Sequence, residues 1–249
     1  MKIQSKLPKL NKKDFSFYKK NGFIVIKNFL NKKICKKIIS YSLKYAEKPD
    51  YPIYLNIHRK SKVFRKIISD KNLIKILKFF QNSPVQALND QMIFKKRNSK
   101  YGMQSWTFHQ DNAYVKAGYG KYVIVHLFLE NCSKSNGGLV FFAGSHAEDL
   151  LAFKRRKSHR EKKNKDGTTT PGFTIYDSEM KFIRNKYQKV DVKADSGSIC
   201  IMHSNLVHGS YPNKSKTKDR ELYAMAFISK NSKIGDYGRV SKKIPINVD

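Results

Sequence analysis

The chain has 249 residues, 40% of them apolar and 12% aromatic, which is enough to bury a real core and excludes a chain that stays disordered. Lysine and arginine number 51 against 19 acidic residues, a formal net charge of +32; the lysines run through every kind of segment rather than gathering on one motif. The charge therefore predicts non-specific binding to polyanions at low salt and favours no specific nucleic acid.

Cys35, Cys132 and Cys200 form no C-x-x-C pair and read as buried, inert thiols of a reducing compartment. The basic start is followed by no apolar core of a signal peptide, and no run is long and apolar enough to span a bilayer, so a cytoplasmic protein is expected. Length alone is compatible with one domain over residues 1–249 and says nothing of oligomeric state.

In chain order, DFSFYKKNG predicts a short amphipathic helix opened by Asp14 and stopped at Asn21-Gly22, followed by a strand over FIVIKNF. Asn31 is placed to cap a second helix with Ile34, Ile38, Ile39, Ser42 and Leu43 on one face. Leu73, Ile76, Leu77 and Phe80 fix a third. Residues 1–84 thus read as a mainly helical flank with an early strand.

From about Val85 the period changes. VQALNDQMIFKKR, YVIVHLFLE, GLVFFAG, KVDVKA, GSICIMH and ELYAMAFIS are short β-branched or aromatic runs separated by turn residues, the pattern of an antiparallel barrel or jelly roll. Between about 147 and 187 lies a polar, basic stretch containing KRRKSHREKKNKDG. It reads either as a solvated loop or as a lid over an active site.

The chemistry starts in WTFHQDNAY. Alternate residues of a strand face the same way, so His109 and Asp111 present an imidazole and a carboxylate to one point. An H-x-D alone is weak. His208, after the apolar run GSICIMH, adds a second imidazole, and two histidines with one carboxylate form the facial triad of iron(II) oxygenases. Arg220 follows twelve residues on, at the head of a strand, and offers a forked cation for a carboxylate; an ordinary surface charge is the competing reading. Ser210 is two residues from His208 and can present its hydroxyl to the same anion.

Four segments, FYKKNGFIVIKNFL, HQD, NGGLVFFAGSH and HGSYPNKSKTKDR, come in an order that resembles the phytanoyl-CoA hydroxylase superfamily over most of the chain. The resemblance implies a double-stranded β-helix (a jelly roll or cupin-like barrel, mainly β with flanking helices) and the use of iron(II), 2-oxoglutarate and dioxygen. Carried over, it implies iron ligands His109, Asp111 and His208, and a clamp of Arg220 with Ser210 for the distal carboxylate of 2-oxoglutarate. Gln91 and His126 fall where relatives place further cosubstrate contacts, with packing inside the barrel the alternative for His126.

Two positions depart from the family pattern: Phe108 stands where relatives commonly have Trp, and Ala143 where they have Pro. His146, Gly137 and Gly138 are expected to serve turns, and His58 and His203 to be structural. The presence of Asp111 favours hydroxylation over halogenation, since halogenating relatives carry a small residue there. The expected substrate is a small metabolite, an anionic one if the basic lid and surface steer it; an oxygenase of nucleic acid or another macromolecule and a non-catalytic module of the same fold are the alternatives.

Overall fold

The structure, a computed structural model, describes residues 3–45, 53–99, 101–155, 172–235 and 246–248. The elements run α1 (Lys12–Asn21), β1 (Phe23–Ile26), α2 (Lys32–Ser42), β2 (Ile53–Leu55), α3 (Ile57–Lys60), α4 (Lys62–Ile68), α5 (Lys71–Gln81), β3 (Val85–Lys95), β4 (Trp106–His109), β5 (Tyr122–Phe128) and β6 (Leu139–Ala143). They continue with β7 (Phe153–Arg155), β8 (Phe173–Ile175), α6 (Asp177–Lys186), β9 (Gln188–Asp191), β10 (Ile199–His203), β11 (His208–Ser210), β12 (Arg220–Ser229) and β13 (Ile246–Asn247).

The helical flank forms for local reasons. Asn11, rather than Asp14, opens α1: its side chain accepts from the amides of Lys13 and Asp14, while the Asp14 carboxylate accepts the Asn11 amide, a reciprocal capping box. Gly22 ends the helix at φ +78°, and a Cβ there would lie 2.5 Å from His146 Nδ1. The Asn31 side chain caps α2 as expected, but the buried side is Cys35, Ile38 and Ser42, and Leu43 is exposed. Asp70 caps α5 through the amides of Asn72 and Leu73. Sequence periodicity missed α3 and α4, which are too short to display a full helical repeat.

Two antiparallel sheets face one another without closing into a barrel, and β7 with β8 forms a separate two-stranded sheet. The larger runs β1-β10-β5-β12-β3-β13, with β2 also on β3, and the smaller β4-β11-β6-β9. This is the expected jelly roll with helices on the outside. Every residue of β5 and β12 is buried because the large sheet is covered on both faces. Val123, Val125, Leu127, Tyr223, Met225 and Phe227 pack outward against the helices, while Ile124, Phe128, Leu222, Ala224 and Ala226 face the second sheet. Period-two alternation therefore turns His126 inward as well.

Two local features set the pocket. The β12–β3 register passes from Ala226↔Asn89 to Phe227↔Ala87, so Leu88 is a bulge residue that resets which β3 side chains face inward. Ala224 pairs with both Gln91 and His126, which leaves a small floor between two polar side chains.

The stretch from 147 to 187 is not one loop. Residues 156–171, which carry most of the basic run, lie outside the described residues, but β7 pairs with β8 and α6 follows. Asp177 and Glu179 in the first turn and Arg184 and Lys186 in the last complement the helix dipole of α6. Its Met180 and Ile183 pack with Phe142 and Val207 behind the small sheet.

Candidate metal and cosubstrate site

Between the sheets is a pocket of about 630 Å³, counting its open mouth, and every residue the sequence assigned to the iron or the cosubstrate lines it: His109, Asp111, His208, Arg220, Ser210, Gln91 and His126.

His109 ends β4 and His208 opens the neighbouring β11, where the two are paired directly across the ladder. Their ring centroids are 4.2 Å apart. Strand alternation holds only through the extended Gln110, and Asp111 itself opens a 3-10 turn over Asp111–Tyr114. That turn brings Asp111 Oδ1 to 3.6 Å from His109 Nε2 and Oδ2 to 3.5 Å from His208 Nε2. Ligand atoms of all three lie within 4.8 Å of one another, a cluster that can hold a metal ion.

The residues around the cluster fix how it is presented. His109 Nδ1–H donates to Thr107 O and His208 Nδ1–H to Leu206 O, each at 2.9 Å. Those bonds make Nδ1 the donor in both rings and turn Nε2 of both toward Asp111. Burial and the neighbouring His208 push His109 down to about 4, which keeps it neutral across the physiological range. Gln110, between the two β4-side ligands, is tied to its surroundings. Its amide donates to Asn205 O and Asp149 O while its carbonyl accepts from Leu151 N. Asn112 and Ala117 exchange two further bonds that close the turn.

At Arg220 the guanidinium is 2% exposed. Its Nε donates to Gly137 O at 3.1 Å, but Nη1 is buried without a partner, and among the described residues no carboxylate forms an ion pair with it. A surface charge is thereby ruled out. A buried, forked cation with an unused N–H directed at a pocket is built for an anion. Trp106, opposite Ser210 in the β4–β11 ladder, adds another buried pocket N–H without a partner at Nε1. His126 is 5% exposed, lines the pocket with an unpartnered Nδ1, and is pushed by burial and by His208 down to about 3.

The remaining sequence-selected residues lie elsewhere. Gly137, at φ +85°, does more than make a turn, since its carbonyl holds Arg220. His146 Nε2–H donates to Lys19 O at 3.0 Å and pins the end of α1. His203 stacks on His146 and Tyr119, away from the triad. His58 pairs with Asp90, 2.9 Å away and equally buried, on the helix side of β3, where the Tyr223 hydroxyl donates to the same carboxylate.

The sequence reading missed Trp106 and, more consequentially, Lys95, which is buried beside Arg220. The signal was present: Lys95 follows Gln91 and Ile93 at period two on the inward face of β3.

A model of the family "Phytanoyl-CoA dioxygenase (PhyH)" matches residues 46–221. The human protein "Phytanoyl-CoA dioxygenase, peroxisomal" is 26% identical over 224 residues, 80% of this chain and 63% of its own length, so the chain spans somewhat less than two thirds of that relative. Among solved structures, the α-ketoglutarate-dependent carbocyclase SnoK from nogalamycin biosynthesis superposes with a TM-score of 0.73 at 13% identity, covering 98% of this chain and 95% of its own. The epimerase SnoN, in a complex with Fe3+, α-ketoglutarate and nogalamycin RO, gives 0.71 at 12% identity over 91% and 86%. Those two likenesses show the fold. With the family model spanning most of the sequence, the chain belongs to the phytanoyl-CoA dioxygenase family, whose members are oxygenases that use iron, 2-oxoglutarate and dioxygen.

Proposed function

We propose that this protein is an iron(II)- and 2-oxoglutarate-dependent dioxygenase that hydroxylates an unactivated C–H bond of a small metabolite, releasing succinate and carbon dioxide. The observation that carries this reading is the conjunction in one pocket of a His–Asp–His cluster and a buried guanidinium with an unpartnered Nη1. The donor set of two imidazoles and one carboxylate suits iron(II) and would supply three of its ligands, leaving the rest to cosubstrates.

In this reading His109, Asp111 and His208 hold the iron, and Arg220 with Ser210 receives the distal carboxylate of 2-oxoglutarate. Iron with 2-oxoglutarate and dioxygen supplies the oxidising power for the C–H bond. The protein's part is to bind, orient and exclude water. Gln91 and His126 flank Ala224 and orient the cosubstrate or the substrate beside it, and Trp106 contributes one more donor. The apolar inward side chains, Ile93, Ile124, Leu139 and Leu222 among them, keep the walls dry.

An anionic substrate is favoured by the formal charge of +32, which steers anions to the pocket mouth. Three free, buried cysteines fit a reducing, cytoplasmic setting. Among the described residues no helix is long and apolar enough to cross a membrane.

The test is an anaerobic titration of metal-free protein with iron(II) and 2-oxoglutarate. Wild type should develop a visible charge-transfer band. His208→Ala should bind iron at least tenfold more weakly and lose the band, by analogy with the sensitivity of metal sites to their ligand shells. Failure of wild type to bind iron would overturn the reading. Turnover under labelled dioxygen then decides hydroxylation, which requires one labelled oxygen in the product.

A further inference from the structure

Behind Ser210 is a fully buried lysine that the reaction does not explain. The Lys95 ammonium donates to Ser210 Oγ at 2.8 Å, to Gln104 O at 2.9 Å and to Tyr211 O. An ammonium has three N–H donors, so all of them are spent on protein, and Lys95 has none left for a ligand. It also lies outside the pocket wall, which Ser210 and Arg220 form.

Its surroundings are nonetheless costly unless they serve an anion. Lys95 is 0% and Arg220 2% exposed, they face each other across the β12–β3 ladder, and among the described residues neither has a carboxylate partner. Two neighbouring cations in a dry interior repel and are poorly solvated. One residue organises both. Gly137 gives its carbonyl to Arg220 Nε, and a Cβ at Gly137 would lie 2.8 Å from Lys95 Cδ, so the missing side chain makes room for the lysine stem.

We infer that Lys95 is a positioning residue for the cosubstrate: by donating to Ser210 Oγ it turns the serine's own proton into the pocket, toward the distal carboxylate that Arg220 receives. The geometry behind this is directional. A hydroxyl oxygen that accepts from Lys95 cannot also donate back to it, so the Ser210 proton is free for an acceptor on the pocket side. The inference rests on the reading of the pocket as a 2-oxoglutarate site.

The experiment compares 2-oxoglutarate with 2-oxobutyrate, which has the 2-oxo acid end but no distal carboxylate, in anaerobic binding to the iron(II) protein. Lys95→Met should weaken 2-oxoglutarate by about tenfold, the scale of one charge-assisted hydrogen bond, and leave 2-oxobutyrate and iron binding unchanged. Ser210→Ala should weaken 2-oxoglutarate in the wild-type background and add little in the Lys95→Met background, because the two act as a unit. Lys95→Gln retains a donor for Ser210 without the charge and should fall between; it carries the test if the methionine variant does not fold.

Equal 2-oxoglutarate affinity in wild type and the Lys95 variants, or additive losses in the double variant, would overturn the inference. If wild type itself fails to prefer 2-oxoglutarate over 2-oxobutyrate, the cosubstrate reading fails instead.

Discussion

Arg220→Met is expected to weaken 2-oxoglutarate binding by about 10²- to 10³-fold and, without cosubstrate, to raise the melting temperature. Both signs follow from one feature. The guanidinium is almost fully buried, spends Nε on a backbone carbonyl and leaves Nη1 without a partner. In the ligand-free protein that is an uncompensated buried cation, beside a second one at Lys95, and burial pushes the guanidinium below its ordinary pKa. Methionine of similar reach removes the penalty, as replacements of buried charges by apolar residues often do.

When a carboxylate enters, the sign reverses. The pair is then formed in a dry site, and removing one partner costs about 3–5 kcal/mol because the other charge is left stranded. Arg220→Lys should not restore affinity, since lysine's point charge cannot reproduce the forked geometry of Nη1 with Nε held at Gly137. Thermal melting with and without 2-oxoglutarate checks both halves at once. Wild type should gain stability with ligand concentration, whereas Arg220→Met should start higher and gain little. A variant that starts lower and still responds to cosubstrate would show that Arg220 is a structural charge.

How far such a site can be read from sequence depends on which physical signal each residue leaves. His109 and Asp111 were found because two ligand types stood two apart in a strand pattern, although the convergence is completed by a 3-10 turn that the alternation argument did not contain. The runs that became β5, β10 and β12 were legible because a sheet buried on both faces is apolar at nearly every position. The same uniformity hid which face is the site.

Charge was the least legible property. Among 51 basic residues, residue type alone cannot mark Lys95 and Arg220, the two that are buried among the described residues; only the inward phase of β3 picks out Lys95, and only the strand start picks out Arg220. Basic composition likewise concealed α6, whose apolar contribution is little more than Met180 and Ile183. Its acidic first turn and basic last turn were a better guide than its hydrophobicity. The pairing of His58 with Asp90 was not legible, because the two lie 32 residues apart and become neighbours only when β3 passes beneath α3.

In the metal-free protein, acid should unfold the chain with a net uptake of at least two protons between about pH 6.5 and pH 4.5. Burial holds His109 at about 4 and His126 and His203 at about 3, and lowers His146 as well. An unfolded histidine titrates near 6.5, so below that pH the unfolded chain carries protons that the native one cannot take. Stability therefore falls as pH falls through this window, by about 1.4 kcal/mol per pH unit for each such histidine.

Geometry supplies the reason at His203: its Nδ1 accepts the Asn205 amide at 3.0 Å, a bond that protonation of that nitrogen would destroy. One group opposes the trend. Burial, with Asp219 and Glu130 nearby, pushes Glu221 up to about 7, so the native state takes its proton before the unfolded state does and is stabilised as pH drops. The three most strongly lowered histidines against one glutamate leave a net slope of about 3 kcal/mol per pH unit, enough to exhaust the stability of an ordinary domain within a few units. Urea unfolding followed from pH 7 to pH 4.5 measures the slope directly, and Glu221→Gln should steepen it by one proton. Bound iron(II) should hold the native state to lower pH, because it would occupy ring nitrogens of the triad that protons otherwise compete for. An acid transition unmoved by metal would mean that His109 and His208 are not its ligands.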